Sequence, residues 1–254
     1  MKKILLLATA VASITMAEAS SFNGFYLGVQ AGYTKRTVTD KVHQDSQTVG
    51  SSAAQPGFIN GSSKKRNSGF LYGLVGGWGT TVANSLYMGV EATLHNDTAN
   101  KDNTYNFTGS DGSGAWPYKD QYKRGIAFGL APRVGVVVAN TWLAYAKFGV
   151  EVSRDKATHQ NIGGTISTPP GTAAGNYPSS VVFNSGTKTK MVFVPGLGVE
   201  KAFGNILTRV EYNYNMGASL RQKVQFVQNG FNCTEYQKIK YHAHVLKVGV
   251  AYKF

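Results

Sequence analysis

Apolar and polar residues alternate with a period of two along several segments of the chain. The last of these segments reads HVLKVGVAYKF, and every second residue in it is apolar: Leu246, Val248, Val250, Tyr252 and Phe254. Alternation of this kind is typical of β-strands, whose successive side chains point to opposite faces. The pattern predicts eight strands, at residues 25–34, 69–79, 86–95, 122–138, 143–153, 190–201, 206–216 and 239–254.

The connections between the predicted strands are alternately long and short. Three are short, with the sequences TTVANS, ANT and AFGN, whereas residues 35–68, 96–121, 154–189 and 217–238 form long polar connections. Most of the strands also reach the roughly 9–11 residues that a tilted strand needs to cross a bilayer. The chain is therefore predicted to be all-β: an eight-stranded antiparallel up-and-down transmembrane β-barrel with four long extracellular loops and three short periplasmic turns.

Periodicity alone does not say which face of such a barrel is apolar, because a secreted lipocalin-like barrel alternates with its apolar side inside. The composition of the other face distinguishes the two. In the fourth predicted strand that face is built largely from Gly125, Ala127, Gly129 and Ala131. A water-facing surface carries more charge than this, so we expect the small residues to line a narrow lumen and the apolar residues to face lipid. Aromatic residues near the strand ends fit membrane-interface belts: Tyr33, Tyr72, Trp78, Tyr214, Tyr252 and Phe254.

Eight charged residues fall on the lumen side of the predicted strands: Glu91, Arg133, Lys147, Glu151, Glu200, Arg209, Glu211 and Lys247. Both signs are present, and a buried charge requires a partner. We therefore expect ion pairs inside the barrel. They would either plug the lumen or line a narrow path for ions.

The N-terminus has the features of a secretory signal peptide. Lys2 and Lys3 precede an apolar run, and Ala17-Glu18-Ala19 is a small-residue cleavage site. We expect residues 1–19 to be removed and residues 20–254 to form the barrel. Export to the outer membrane excludes nucleic acid as a partner for the basic mature chain. The single cysteine, Cys233, excludes an intramolecular disulfide, and no sequence motif indicates a cofactor or a metal.

Several segments together resemble the small outer-membrane β-barrels of Gram-negative bacteria related to outer membrane protein A and the opacity-type surface proteins. They are FNGFYLGVQAGY, LYMGVEATL, GLAPRVGVVVANTWLAYAKFGV, FVPGLGVEKAFGNILTRVEYNYNMG and HVLKVGVAYKF. The resemblance implies insertion by the barrel-assembly machinery, with the last strand as the insertion signal: Val248, Val250, Tyr252 and Phe254. No segment resembles the peptidoglycan-binding domain that some relatives carry.

The function expected from the sequence is that of a monomeric structural and surface-interaction protein. Its basic loop residues are candidates for contact with lipopolysaccharide or with host surface glycans or proteins: Lys64, Lys65, Arg66, Arg221 and Lys223. A narrow porin-like channel is the first alternative. A lipid- or peptide-modifying enzyme is the remote one: His95 with Asp97, or His242 with His244, share a strand face, but neither pair has a nucleophile or third ligand at a suggestive spacing.

Overall fold

Antiparallel strands make up almost all of the described structure. The computed structural model describes residues 21–48, 54–82, 85–108, 115–161, 181–228 and 231–254; the predicted signal peptide lies outside these ranges. The strands are β1 Gly24–Thr48, β2 Ala54–Val82, β3 Leu86–Asp97, β4 Lys101–Thr108, β5 Ala115–Val138, β6 Trp142–Asn161, β7 Val181–Phe203, β8 Ile206–Gln228 and β9 Phe231–Lys253. No helix within these ranges is long and apolar enough to cross a bilayer.

The strands close into an eight-stranded antiparallel barrel, as the sequence predicts. Neighbouring strands follow the order β1, β2, β3, β5, β6, β7, β8 and β9, and β9 pairs with β1. Strand β4 is a continuation of β3 beyond residues 98–100 and pairs with β5. At the closing seam the Phe254 N–H donates to the Phe25 carbonyl at 2.9 Å. Closure leaves no unpaired edge in the part that meets lipid, as a bilayer requires.

The outer surface of the barrel carries a belt of apolar side chains. Along β1, Phe25, Leu27 and Val29 are each more than half exposed, whereas Tyr26 between them is 4% exposed. Aromatic side chains lie at both margins of this belt, with Tyr33 against Phe70 at one end and Tyr252 against Phe254 at the other. This arrangement is the reverse of a lipocalin-like barrel and matches a surface that faces lipid.

Most of the segments predicted as long loops are strands instead. Strand β1 runs to Thr48, which pairs with Phe231 of β9, and β2 begins at Ala54. The prediction ended these strands too early because it followed apolar alternation. Above the membrane the outward positions are polar, so apolar alternation ends while backbone pairing continues.

Above the lipid-facing belt the barrel divides into two four-stranded sheets. Pairing between β7 and β8 ends at Phe193–Met216, and pairing between β2 and β3 ends at Leu71–Asp97. Strands β8, β9, β1 and β2 continue as what we call the first outer sheet, and β4, β5, β6 and β7 as the second outer sheet. Each contains a register shift near this level, at residues 215–218 of β8 and 124–127 of β5. Bulges of this type bend and twist a strand, which fits the divergence of the two sheets.

Candidate functional site

Tyrosine side chains fill the periplasmic end of the lumen, and glycines opposite them provide the room. A Cβ atom added to Gly79 would overlap the Tyr87 ring, and one added to Gly198 would overlap the Tyr145 ring. The small residues of the inner face are therefore required by close packing. Together with these rings, a buried apolar cluster closes this end: Phe22, Tyr26, Val75, Tyr87, Val137, Leu143, Tyr145, Ala202, Leu207 and Ala251.

Glu91 is the centre of the ion-pair network above that cluster. Its carboxylate lies 3.3 Å from Arg133 and 3.2 Å from Lys147, and it also pairs with Arg209. The Tyr26 hydroxyl donates to the same carboxylate at 3.0 Å. Glu91 is 1% exposed, so these contacts replace its hydration.

Glu211 is a second acceptor in the same layer. Its carboxylate lies 2.7 Å from the Lys147 ammonium and 3.4 Å from that of Lys247, and it accepts hydrogen bonds from Tyr145 and Asn213. Lys147 therefore connects the two carboxylates. With Glu200, which pairs with Arg133 at 2.9 Å, these residues form what we call the central cluster: Glu91, Arg133, Lys147, Glu200, Arg209, Glu211 and Lys247.

A second polar group, the upper cluster, lies nearer the outer end of the lumen. Arg124 pairs with Glu151 at 2.9 Å and donates to the Ser153 hydroxyl. The Ser153 hydroxyl in turn donates to Asp155, which also accepts from Tyr241 at 2.9 Å. The upper cluster thus joins strands of both outer sheets.

The lumen is occupied at each of its levels. An apolar cluster lies between the two outer sheets: Val38, Tyr122, Val192, Val194, Ile239 and Tyr241. Between the two polar clusters, a cavity lined by Glu91, Thr93, Lys147 and Glu151 has a volume of about 10 Å³, which is room for about one water molecule.

All eight charged residues assigned to the lumen by sequence are buried there. Seven belong to the central cluster, and Glu151 belongs to the upper one. Arg124 was not expected in the lumen, because strict alternation from Ala127 puts it outside, whereas the register shift between Arg124 and Ala127 turns it inward. Asp155 was not expected there either, because it lies in a segment predicted as loop.

The two histidine pairs considered for catalysis have different surroundings. His95 and Asp97 are buried, but the Asp97 carboxylate is bound by Arg36 at 2.6 Å, and His95 Nε2 lies 3.7 Å from Glu151. His242 and His244 alternate outward on β9, with ring centroids 6.3 Å apart. Within the described residues, no group of three or more His, Cys, Asp or Glu side chains is placed to hold a metal ion.

The outward face of the first outer sheet is strongly basic. Lys41 pairs in register with Lys238, and Lys238 pairs with Arg221, so three cations lie side by side on β1, β9 and β8. The neighbouring Lys240, Arg221 and Lys41 lower the pKa of Lys238 because they repel its charged form. One row further out, the Lys223 ammonium lies 5.6 Å from the centre of the Tyr236 ring.

The basic residues named from the sequence all lie on this sheet. Arg221 and Lys223 belong to β8, and Lys64, Lys65 and Arg66 to β2, all five exposed. We refer to the outward cations of the first outer sheet as the basic face: Lys35, Lys41, Lys64, Arg66, Arg221, Lys223, Lys238 and Lys240. Lys65 alternates to the other side but is exposed at the edge of β2, where pairing to β3 has ended.

The proposed insertion residues Val248, Val250 and Tyr252 lie on the outward side of β9 in the lipid-facing belt, and Phe254 lies at its periplasmic margin with 73% of its surface exposed.

Solved structures similar to this chain are outer-membrane barrels. The outer membrane protein OprG from Pseudomonas aeruginosa shares 13% identity, with 91% of this chain and 96% of that chain covered and a TM-score of 0.50. The outer membrane protease OmpT from Escherichia coli shares 11% identity over 95% of this chain and 99% of that chain, with a TM-score of 0.45. Neisserial surface protein A shares 15% identity over 87% and 97% of the two chains, with a TM-score of 0.32. At these identities the likeness to OprG shows a shared fold alone.

Among curated protein sequences, none matches this chain. The profile of one protein family does match, over residues 4–254. The alternating strands, the closed barrel and the apolar outer belt agree with it. The chain belongs to the family of outer membrane protein beta-barrel domains.

Proposed function

We propose that this chain is a non-enzymatic surface protein of the outer membrane, whose basic face binds anionic polymers such as lipopolysaccharide or acidic host glycans. The observation that carries the proposal is the charge of the first outer sheet. Eight cations face outward there, and no acidic residue alternates to that face over residues 35–43 of β1, 62–68 of β2, 219–223 of β8 and 236–240 of β9. Asp40, which lies among them in sequence, is buried and accepts a hydrogen bond from Gln237 instead.

The spacing of these cations suits a repeating anion. Residues two apart on a strand are about 6.6 Å apart, and neighbouring strands are about 4.8 Å apart. The basic face therefore presents charges at several points along an extended chain, and a charged surface of one sign attracts polyanions over a distance. Rigid strands hold these charges in place. Binding therefore costs little conformational entropy beyond that of ordering the lysine side chains.

The filled lumen favours this proposal over a channel. The apolar cluster at the periplasmic end, the two polar clusters and the apolar cluster between the outer sheets lie in series along the barrel. We therefore expect no large steady conductance in planar bilayers. A steady conductance of the size given by an open pore would contradict the proposal.

The surroundings of the buried histidine favour a non-enzymatic role. The carboxylate beside His95 in sequence is bound by Arg36, so it does not orient the imidazole as a general base requires. Both groups are also buried inside the barrel, away from any polymer outside it.

Binding of heparin and of purified lipopolysaccharide at rising salt tests the proposal. Protein folded in detergent is compared with a variant carrying Arg221→Glu and Lys238→Glu. We expect binding by the native chain to weaken steadily with salt, because salt screens exposed charges, and the variant to bind at least tenfold more weakly at low salt.

A matched control keeps the total charge change the same. Lys123→Glu with Lys156→Glu reverses two cations that pair in register on the second outer sheet. We expect this control to bind almost as the native chain does. Equal losses in both variants, or binding that salt does not affect, would refute a role for the basic face.

A further inference from the structure

The basic face ends towards the membrane in a group of aromatic and imidazole side chains. The Tyr212 hydroxyl and His244 Nδ1 are hydrogen-bonded at 2.6 Å. The Tyr214 ring lies 5.0 Å from the His244 ring and 6.2 Å from the His242 ring, measured between centroids. Lys35 pairs in register with His244. We call these five residues the interface cluster.

The interface cluster lies directly above the lipid-facing belt. Along β9, the next outward residues after His244 in the direction of the periplasm are Leu246 and Val248. Along β1, the outward residue on the periplasmic side of Lys35 is Tyr33. All of these residues alternate to the outside of the barrel. The cluster is thus at the height where lipid headgroups meet hydrocarbon, and the phosphates of the outer leaflet are the charged groups found there.

An apolar groove lies below the cluster on the same strands. It has a volume of about 870 Å³ and its outward lining includes Ala31, Tyr72, Leu74, Val210, Val248 and Val250. Ala31 is the small residue of this set and pairs with both Tyr72 and Val248, so the surface is depressed at its centre. From Val248 to His244 is four residues, or about 13 Å along the strand.

We propose that the groove and the interface cluster together bind one phosphorylated acyl lipid of the outer leaflet, with an acyl chain in the groove and a phosphate at the cluster. The inference rests on the proposed function and deepens it, because it assigns the phosphorylated lipid part of such a ligand to its own site on this chain. In this arrangement Lys35 supplies charge, and the imidazole N–H groups and the Tyr214 hydroxyl donate hydrogen bonds to phosphate oxygens. The Tyr212 hydroxyl instead donates to His244 Nδ1.

Two histidines on one face of a strand can also supply two of the ligands of a metal site. The surrounding charge decides between the two ligands. Lys35 lies on the neighbouring strand β1, and Lys240 lies on the same strand as the histidines. Lys64 and Arg66 lie on β2, on the far side of β1. These cations repel a metal ion and attract a phosphate. Because Tyr212 occupies Nδ1 of His244, the Nε2 nitrogen is the one that contacts the ligand.

The test measures binding of diphosphorylated lipid A to the detergent-folded protein by native mass spectrometry. The comparison ligands are the same lipid with its phosphates removed and inorganic phosphate alone. We expect the phosphorylated lipid to bind at least tenfold more tightly than the dephosphorylated one. Equal binding of the two lipids would overturn the phosphate site, and binding of inorganic phosphate as tight as that of the lipid would overturn the acyl groove.

Two variants separate the parts of the site. His242→Ala with His244→Ala is expected to lower the affinity for the phosphorylated lipid at least tenfold and to leave the dephosphorylated lipid unchanged. Ala31→Trp fills the groove and is expected to weaken both lipids. If the histidine variant binds as the native chain does, the cluster is not the phosphate site.

The control variant Lys123→Ala with Lys156→Ala, on the second outer sheet, is expected to bind both lipids normally. The heat-dependent shift in gel mobility of each variant checks that it has folded. Loss of lipid selectivity with heparin binding intact would refute this inference alone, whereas loss of heparin binding to the native chain would refute the proposed function.

Discussion

Replacement of Glu91 by glutamine tests whether the ion pairs hold the lumen together. The change keeps the size of the side chain and removes one charge from the centre of the network. Among the described residues, the central cluster contains three acidic and four basic groups. Glu91→Gln leaves two acidic groups against four basic ones, and Arg133, Lys147 and Arg209 each lose a contact.

The expected cost is large because all of these groups are buried. Removing one partner of a buried ion pair costs about 3–5 kcal/mol, so we expect Glu91→Gln to lower the free energy of unfolding by about this amount. Glu200→Gln is the matched control, because Glu200 forms an ion pair with Arg133, whereas Glu91 is shared by three cations. Its cost is expected to be about 1.5–3 kcal/mol, the range for a hydrogen bond to a charged group.

A second substitution checks the cause. Adding Lys147→Gln to Glu91→Gln leaves two acidic and three basic groups in the central cluster, so we expect the double variant to be more stable than the sum of the two single effects by about 1–3 kcal/mol. The measurement is reversible urea unfolding in lipid vesicles, followed by tryptophan fluorescence and by gel mobility. A loss below about 1 kcal/mol for Glu91→Gln, or strict additivity, would refute the assignment of Glu91 as the centre of the network.

Three further outcomes are expected. Leu130→Arg, in the middle of the lipid-facing belt, should destabilise the barrel in vesicles by about 2–4 kcal/mol, whereas Val136→Arg near the periplasmic turn should cost about 0–1 kcal/mol; equal costs would mean that the belt is misplaced. Phe254→Ala should lower the amount of folded protein in cells while changing the free energy of unfolding in vesicles by less than about 0.5 kcal/mol, because the ring is exposed and contacts Tyr252; equal losses in both settings would argue against an insertion signal. Burial, then His244 and Lys64, lower the pKa of His242, so its imidazole becomes charged at a lower pH than an ordinary histidine does. Binding of a sulfated lipid, whose own charge does not change, should therefore strengthen from pH 7 to pH 5 in the native chain and strengthen less in His242→Gln; the same pH response in both would exclude His242 as the titrating group.

The membrane-crossing part of the fold follows directly from the sequence. In the lipid-facing belt, the two faces of each strand meet hydrocarbon and a packed lumen, so alternation of apolar and small or charged residues is strict. The lumen assignment of Glu91 and Glu211 depends on this parity alone.

The outer part is less predictable for two physical reasons. Above the membrane both water and the other outer sheet accept polar side chains, so residues 35–48 lack apolar alternation although they pair along their whole length. A bulge also reverses parity locally, as at Arg124, and the sequence around it contains no signal that separates a bulge from a regular strand. Predicting the interface cluster would require the register between β8 and β9 and the level of the membrane along them. Neither can be derived from the sequence of one strand.

The division of the barrel above Phe193 and Met216 determines how deeply the protein is immersed. Beyond that point the backbones of β7 and β8 no longer pair. The Lys188 and Lys190 ammonium groups of β7 donate to the Arg221 and Ser219 carbonyls of β8, and the remaining N–H and C=O groups of these two edges require water. Hydrocarbon offers them no partner, so this level is an upper limit for the boundary of the acyl chains on that side of the molecule. In a thicker bilayer, the hydrocarbon layer would therefore have to become thinner around the protein, because the protein cannot be immersed more deeply.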